Sequence, residues 1–158
     1  LLEGCPIVSF RIPDRLLVAS APFGRALPAS LVAAAIGRGL QAGGLPEPDL
    51  CPLEADGSWS AGVGEARALL DAVDFDARMR RARAVIIAAE RLQEGALAGS
   101  VTFEIATRAR QGGVPAYAVS AENSLDAFDA RILDLQLILQ ASTARALTAA
   151  GRKLARLV

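Results

Sequence analysis

Five short apolar runs, spaced by longer stretches of helical periodicity, constrain this chain more than any other feature. The runs Leu16–Ala19, Asp49–Leu53, Ala84–Ala88, Ala116–Val119 and Arg131–Leu133 are bounded by Pro, Gly, Asp or Ser. Short runs that are apolar on both faces suit strands of a parallel sheet covered on both sides. Ile7–Arg11 can add an edge strand before them.

The segments between the runs carry helix signals. Pro28 can open a helix whose Leu31, Val32, Ala35, Ile36 and Leu40 share a face, and Gly43-Gly44 closes it. A second helix starts near Gly64 or Glu65 and carries Leu69, Leu70 and Val73. A short third has Asp74 as its N-cap, with Met79 and Ala82 facing inward. Ser100 or Thr102 caps a fourth through Ile105, Ala106 and Ala109, which Gly112-Gly113 ends. A final long helix is predicted from Gln136 to Leu157, with Ile138, Ala141, Leu147, Leu154 and Leu157 on one stripe. Such alternation predicts right-handed βαβ crossovers and a three-layer αβα sandwich around a mainly parallel, Rossmann-like sheet. At 158 residues a single domain, 1–158, is expected.

Composition then removes whole classes of chemistry. There is no His, and Lys153 is the sole Lys. Ser-His-Asp and Cys-His nucleophiles and His-ligated zinc are thereby excluded, and the lack of a Gly-Lys-Ser/Thr sequence excludes a P-loop. Net charge is +0, which offers no general attraction for nucleic acid or an anionic membrane. The cluster Arg78, Arg80, Arg81 and Arg83 is offset by Asp71, Asp74 and Asp76, and reads as cations near a helix C-terminus. Cys5 and Cys51 match no metal or redox spacing and read as two thiols in a reducing compartment. No apolar run reaches the roughly 18 residues that a membrane span needs, so a soluble, cytoplasmic protein is expected.

In a doubly wound sheet, ligands bind outside the carboxyl ends of the strands, which singles out three loops. Ser20–Ala26, with Phe23, Gly24 and Arg25 as candidate ligand-binding residues, can hold an anion through backbone N–H groups at a helix N-terminus with help from Arg25, though its side chains are otherwise inert and a structural turn is the simpler reading. Glu54–Ser60 contains Asp56 and Gly57, beside the lone Trp59; Glu54 and Asp56 could hold a divalent cation, though such a loop is as readily a plain turn. Ala89–Gly95 contains Glu90 and Glu94 flanking Arg91, an arrangement open to catalysis or to a plain surface ion pair. Gly62-Val63-Gly64 is a lone G-x-G that follows no clear strand, so a nicotinamide dinucleotide site is not supported.

At these loops the chain resembles the two-domain bacterial glycerate kinases. Leu17 to Leu40 is similar to that family's first strand, loop and helix without a gap. The resemblance returns at Pro52-Leu53 and Asp56-Gly57, and is longest from Ala68 to Ser120, through Leu69–Asp76, Val85-Ile86, Arg91-Leu92, Leu97, Gly99 and Gly113-Val114-Pro115. It implies a Rossmann-like domain with a phosphotransferase ancestry.

The departures bear directly on activity. Where the family's first loop carries an acid and a Lys that serve substrate and phosphate, this chain has Ala21 and Gly24. Where its later loop carries a Glu and an Asp for metal or base chemistry, this chain has Ala89 and Gln93. Phosphoryl transfer needs charge at the transferring group and a base for the attacking hydroxyl, and Ala and Gly supply neither. The family's inserted second domain, the far wall of its cleft, is also missing around 58–65. The resemblance thus implies a domain without catalytic residues and without a metal or cofactor. It would act as a binding or interaction module for a small anionic ligand, as a homodimer covering the surface the second domain would cover. The alternative is an active small-acid kinase completed by oligomerisation, with ATP and Mg, using Asp56, Glu90 and Arg91.

Overall fold

A computed structural model describes residues 14–53, 63–92 and 100–158. Its elements run β1 (Leu16–Ser20), α1 (Ala29–Ala42), β2 (Asp49–Pro52), α2 (Val63–Ala72), α3 (Phe75–Arg80), β3 (Ala84–Leu92), α4 (Val101–Gln111), β4 (Ala116–Asn123), α5 (Ala127–Leu133), β5 (Leu135–Gln140) and α6 (Ala144–Leu157). The strands form one parallel sheet in the order β2-β1-β3-β4-β5. The side chains of β1 and β3 alternate between two cores. Leu16, Val18, Ala84 and Ile86 pack against α1 and α6 on one face, and Leu17, Ala19, Val85 and Ile87 pack against α2, α3 and α4 on the other. This is the three-layer αβα arrangement, and no helix among the described residues is long and apolar enough to cross a membrane.

Helix ends follow their local chemistry. Pro28 precedes α1 in an extended conformation, and Gly44, at φ 98°, takes the left-handed position that ends it. Ser100 Oγ accepts the Phe103 N–H at 3.0 Å and caps α4. Asp74 is not a side-chain cap: it sits before α3 at φ 55° with no side-chain hydrogen bond to that helix, a left-handed residue turning the chain between α2 and α3.

Three sequence expectations are corrected at the far side of the sheet and on β3. Arg131–Leu133 is the last turn of α5, not a strand, and the fifth strand is Leu135–Gln140. The helix expected from Gln136 therefore starts only at Ala144, capped by Thr143 Oγ1 on the Ala146 N–H. Leu135, Ile138 and Ala141 repeat at helical spacing, yet Leu135 and Ile138 lie in the strand and Ala141 directly follows it, and pairing with β4 decides between the two. Ala89–Leu92, expected as loop, continues β3 because β4 extends alongside it, with Arg91 opposite Glu122 and Leu92 opposite Asn123. The Ile7–Arg11 edge strand and the Glu54–Ser60 loop lie outside the described residues.

Two contacts hold the outer layers. Helices α1 and α6 approach at glycines: a Cβ on Gly39 would lie 2.0 Å from the Thr148 carbonyl oxygen, and one on Gly151 would lie 2.4 Å from that of Ile36. Thr148 Oγ1 donates to the Ala35 carbonyl at 3.0 Å across the same seam. On the opposite face, Arg108 of α4 reaches Asp71 at 3.0 Å, Asp76 at 3.2 Å and Glu104 at 3.2 Å, tying α4 to α2 and to α3.

At the N-terminus of α5, Asp126 Oδ1 accepts the Asp129 backbone N–H at 2.8 Å, and the Asp129 carboxyl also lies against that of Asp126. Shielding from water and the Asp126 charge push the Asp129 carboxyl above its ordinary range. A raised acid favours folding most when protonated, so its contribution is full below the unfolded value and is lost as pH rises through the folded value. Asp129→Asn is expected to raise the melting temperature at neutral pH, with the gain vanishing on acidification through the carboxylate range. A gain that persisted in acid, read from thermal scans of both proteins, would refute this origin.

Candidate functional site

The strand order reverses direction between β1 and β3, and ligands of doubly wound sheets bind beside the carboxyl ends of the strands at that point. The chain builds the rim there from small residues. Ser20 is fully buried, and its Oγ donates to the Ala29 carbonyl at 2.7 Å, tying the start of α1 to the end of β1. The Ala21 N–H continues the ladder to the Ala88 carbonyl at 2.8 Å. Beyond it the chain closes a tight turn through the Phe23 N–H and the Leu27 carbonyl at 2.8 Å. Gly24 holds φ 65° within this turn, a conformation that costs a residue with a Cβ roughly 1–2 kcal/mol.

The residues expected at the site separate on inspection. Phe23 is buried in the core under α1 and α6, whereas Gly24 and Arg25 are exposed on the turn. Glu90 comes to Gly24: its Oε1 lies 3.8 Å from the position of a Cβ on that glycine. Arg91 follows Glu90 in the same strand, so its side chain leaves the opposite face of the sheet. There it pairs with Glu122 at 3.3 Å, both side chains more than half exposed. Glu90 and Arg91 are thus not convergent, whereas Glu90 and Gly24 are neighbours. Asp56 and Gly57 lie outside the described residues, as do Glu94 and Gln93.

Two residues at this rim escaped sequence reasoning. Ser120, opposite Ala89 in the ladder, is fully buried with its Oγ unpartnered. Glu122 is the partner of Arg91. Their signal was the polar turn of the sequence directly after the run Ala116–Val119, at the carboxyl end of a strand. Ala21 and Ala89, at positions where the resembling family carries acids, are buried, and Ala89 clusters with Leu92 and Ala118. Among the described residues no group of three or more Cys, Asp or Glu side chains is arranged to hold a metal ion.

The fold is an open, parallel α/β sheet whose strand order reverses between β1 and β3. No protein-family profile matches the sequence, and no curated protein matches it. Among solved structures, a protein of Burkholderia pseudomallei provisionally described as pilus assembly-related matches 91% of this chain and 90% of its own, at 16% identity and a TM-score of 0.47. A protein of Salmonella typhimurium provisionally described as glycerate kinase 2 matches 90% of this chain at 16% identity and a TM-score of 0.44, over 48% of its own length. Neither likeness transfers a function to this chain.

Proposed function

We propose that this chain is a glycerate-kinase-like domain that binds a small hydroxy acid at the β1/β3 crevice and transfers no phosphoryl group. The observation that carries the reading is the character of the rim. Ala21 and Ala89 are buried side chains where the resembling family places acids, Ala89 packed among apolar residues, and a glycine in a left-handed turn stands where it places a Lys. What remains polar suits binding. Glu90 can accept a hydrogen bond from a ligand hydroxyl, and Arg25 with the amides of its turn can face a carboxylate. Homo-oligomerisation completes the reading, since the chain lacks the family's second wall.

Calorimetry with glycerate and with Mg-ATP, beside a coupled assay for ADP, tests it. Heat with glycerate that falls at least tenfold in affinity in Glu90→Gln and in Arg25→Ala, with no ADP formed, is the expected result. ADP formation above the blank would overturn it and favour a small-acid kinase assembled between subunits. Absence of any heat with glycerate would remove the ligand assignment.

A further inference from the structure

The two edges of the sheet are protected very differently. At the β2 edge the strand has four residues. Leu53 donates to Ser20 of β1, so by alternation Leu50 and Pro52 turn their backbone groups outward. There the Leu50 carbonyl is taken by Arg78 Nη2 at 2.8 Å, Arg78 is held by Asp49, and Pro52 has no N–H to offer. These are the devices by which edge strands are kept from pairing with other chains.

The β5 edge has neither a charge nor a Pro in its six residues, Leu-Gln-Leu-Ile-Leu-Gln. The Ala141 N–H bonds to Ser120 of β4, so the same alternation turns the backbone groups of Ile138 and Gln140 outward. The register of its ladder slips by one residue between Leu135 and Ile138, a bulge at Gln136-Leu137, and the strand runs regularly from Ile138 to Gln140. The helix that leads into β5 exposes Phe128 and Ile132, one turn apart, at 70% and 39%.

We propose that β5 pairs antiparallel with β5 of a second copy, joining two sheets into one across a two-fold axis at Ile138. Self-complementarity selects a second copy as the occupant. Gln136-Leu137-Ile138-Leu139-Gln140 reads the same in both directions, so an antiparallel pair centred on Ile138 sets each Gln opposite Gln and each Leu opposite Leu. Ile138, with its backbone turned outward, then exchanges both hydrogen bonds with Ile138 of the second copy. Asp134 before the strand falls opposite Ser142 of the second copy, three residues from Arg145, so the flanking charges are of opposite sign.

The exposed Phe128 and Ile132 of α5, the helix that leads into β5, are apolar residues available to pack beside the joined edge. The seam lies at the sheet edge, away from the β1/β3 crevice, and stands independently of the ligand assignment.

Sedimentation equilibrium of the full chain tests it. The unchanged protein is expected to be dimeric, and Gln136→Lys/Gln140→Lys, like Gln136→Glu/Gln140→Glu, to raise the dimer dissociation constant at least a hundredfold with an unchanged circular dichroism spectrum. Mixing the two double variants should restore a dimer, because each Lys then faces a Glu. In the unchanged protein the Ile138 and Gln140 amides should exchange faster as the chain is diluted. A dimer that survives the Lys variant places the interface elsewhere. A monomer whose Ile138 and Gln140 amides are protected at every concentration shows the edge covered within the chain. Either result overturns the proposal.

Discussion

Gly39→Ala is expected to lower the melting temperature by about 5–10 °C, corresponding to a loss of about 2–3 kcal/mol. Helix propensity alone argues the reverse, since alanine in a helix interior is favoured over glycine by about 1 kcal/mol. Contact decides the sign. The added methyl would meet the Thr148 carbonyl oxygen at 2.0 Å, the Arg152 nitrogen at 2.9 Å and the Gly151 Cα at 2.9 Å. All three are backbone atoms, which cannot swing aside as a long side chain would. Helix α6 must therefore move off α1, and it carries Leu147, Ala150 and Leu154 into the core shared with β1 and β3. Gly64→Ala is the matched control. It has nothing within 4 Å of the new methyl and is expected to stabilise by about 0.5–1 kcal/mol. Thermal and urea unfolding of both proteins checks the pair, and equal signs at the two sites would defeat the close-approach explanation.

The second large effect is expected on the opposite face. Arg108→Ala removes the cation common to Asp71, Asp76 and Glu104 and should cost about 2–3 kcal/mol, the upper part of the range for hydrogen bonds to charged groups. The Arg108 and Glu104 side chains are only 12% and 14% exposed, which limits the water available to replace the lost partner. Asp71 and Asp76 are more exposed, so solvent screening moderates their share. Burial of Arg108 works against its charge, yet its hydrogen bonds to Asp71 and Glu104 hold the guanidinium above its ordinary value. Arg91→Ala offers the contrast, because its pair with Glu122 is exposed on both sides and its loss should lie within about 1 kcal/mol. Urea midpoints of the two variants separate the cases. A loss for Arg91→Ala as large as that for Arg108→Ala would show that burial does not set the scale.

The candidate site divides along similar lines. That Gly24 and Glu90 would come near each other at the carboxyl ends of β1 and β3 was readable, because each follows an apolar run and the fold class places such residues together. That Glu90 and Arg91 part company was not readable. Their separation depends on β3 continuing through Leu92, and β3 continues only because β4 extends beside it to Asn123. A loop residue can aim in any direction, whereas neighbouring strand residues must point to opposite faces.

The sequence by itself determined the αβα class, the first two strands, β3 up to Ala88, helix α1 with its ends, and helix α4 with its cap narrowed to Ser100 or Thr102. Those signals are local: an apolar period, Pro28 or Ser100 at a helix start, glycines at its end. Tertiary structure alone decided that Leu135–Gln140 is a strand, since its apolar spacing fits either element and the hydrogen bonds that choose between them come from β4. It alone decided as well that Gly39 and Gly151 must be glycines. The atoms that forbid a side chain at each belong to a helix more than a hundred residues away along the chain, within van der Waals reach only after the domain has folded.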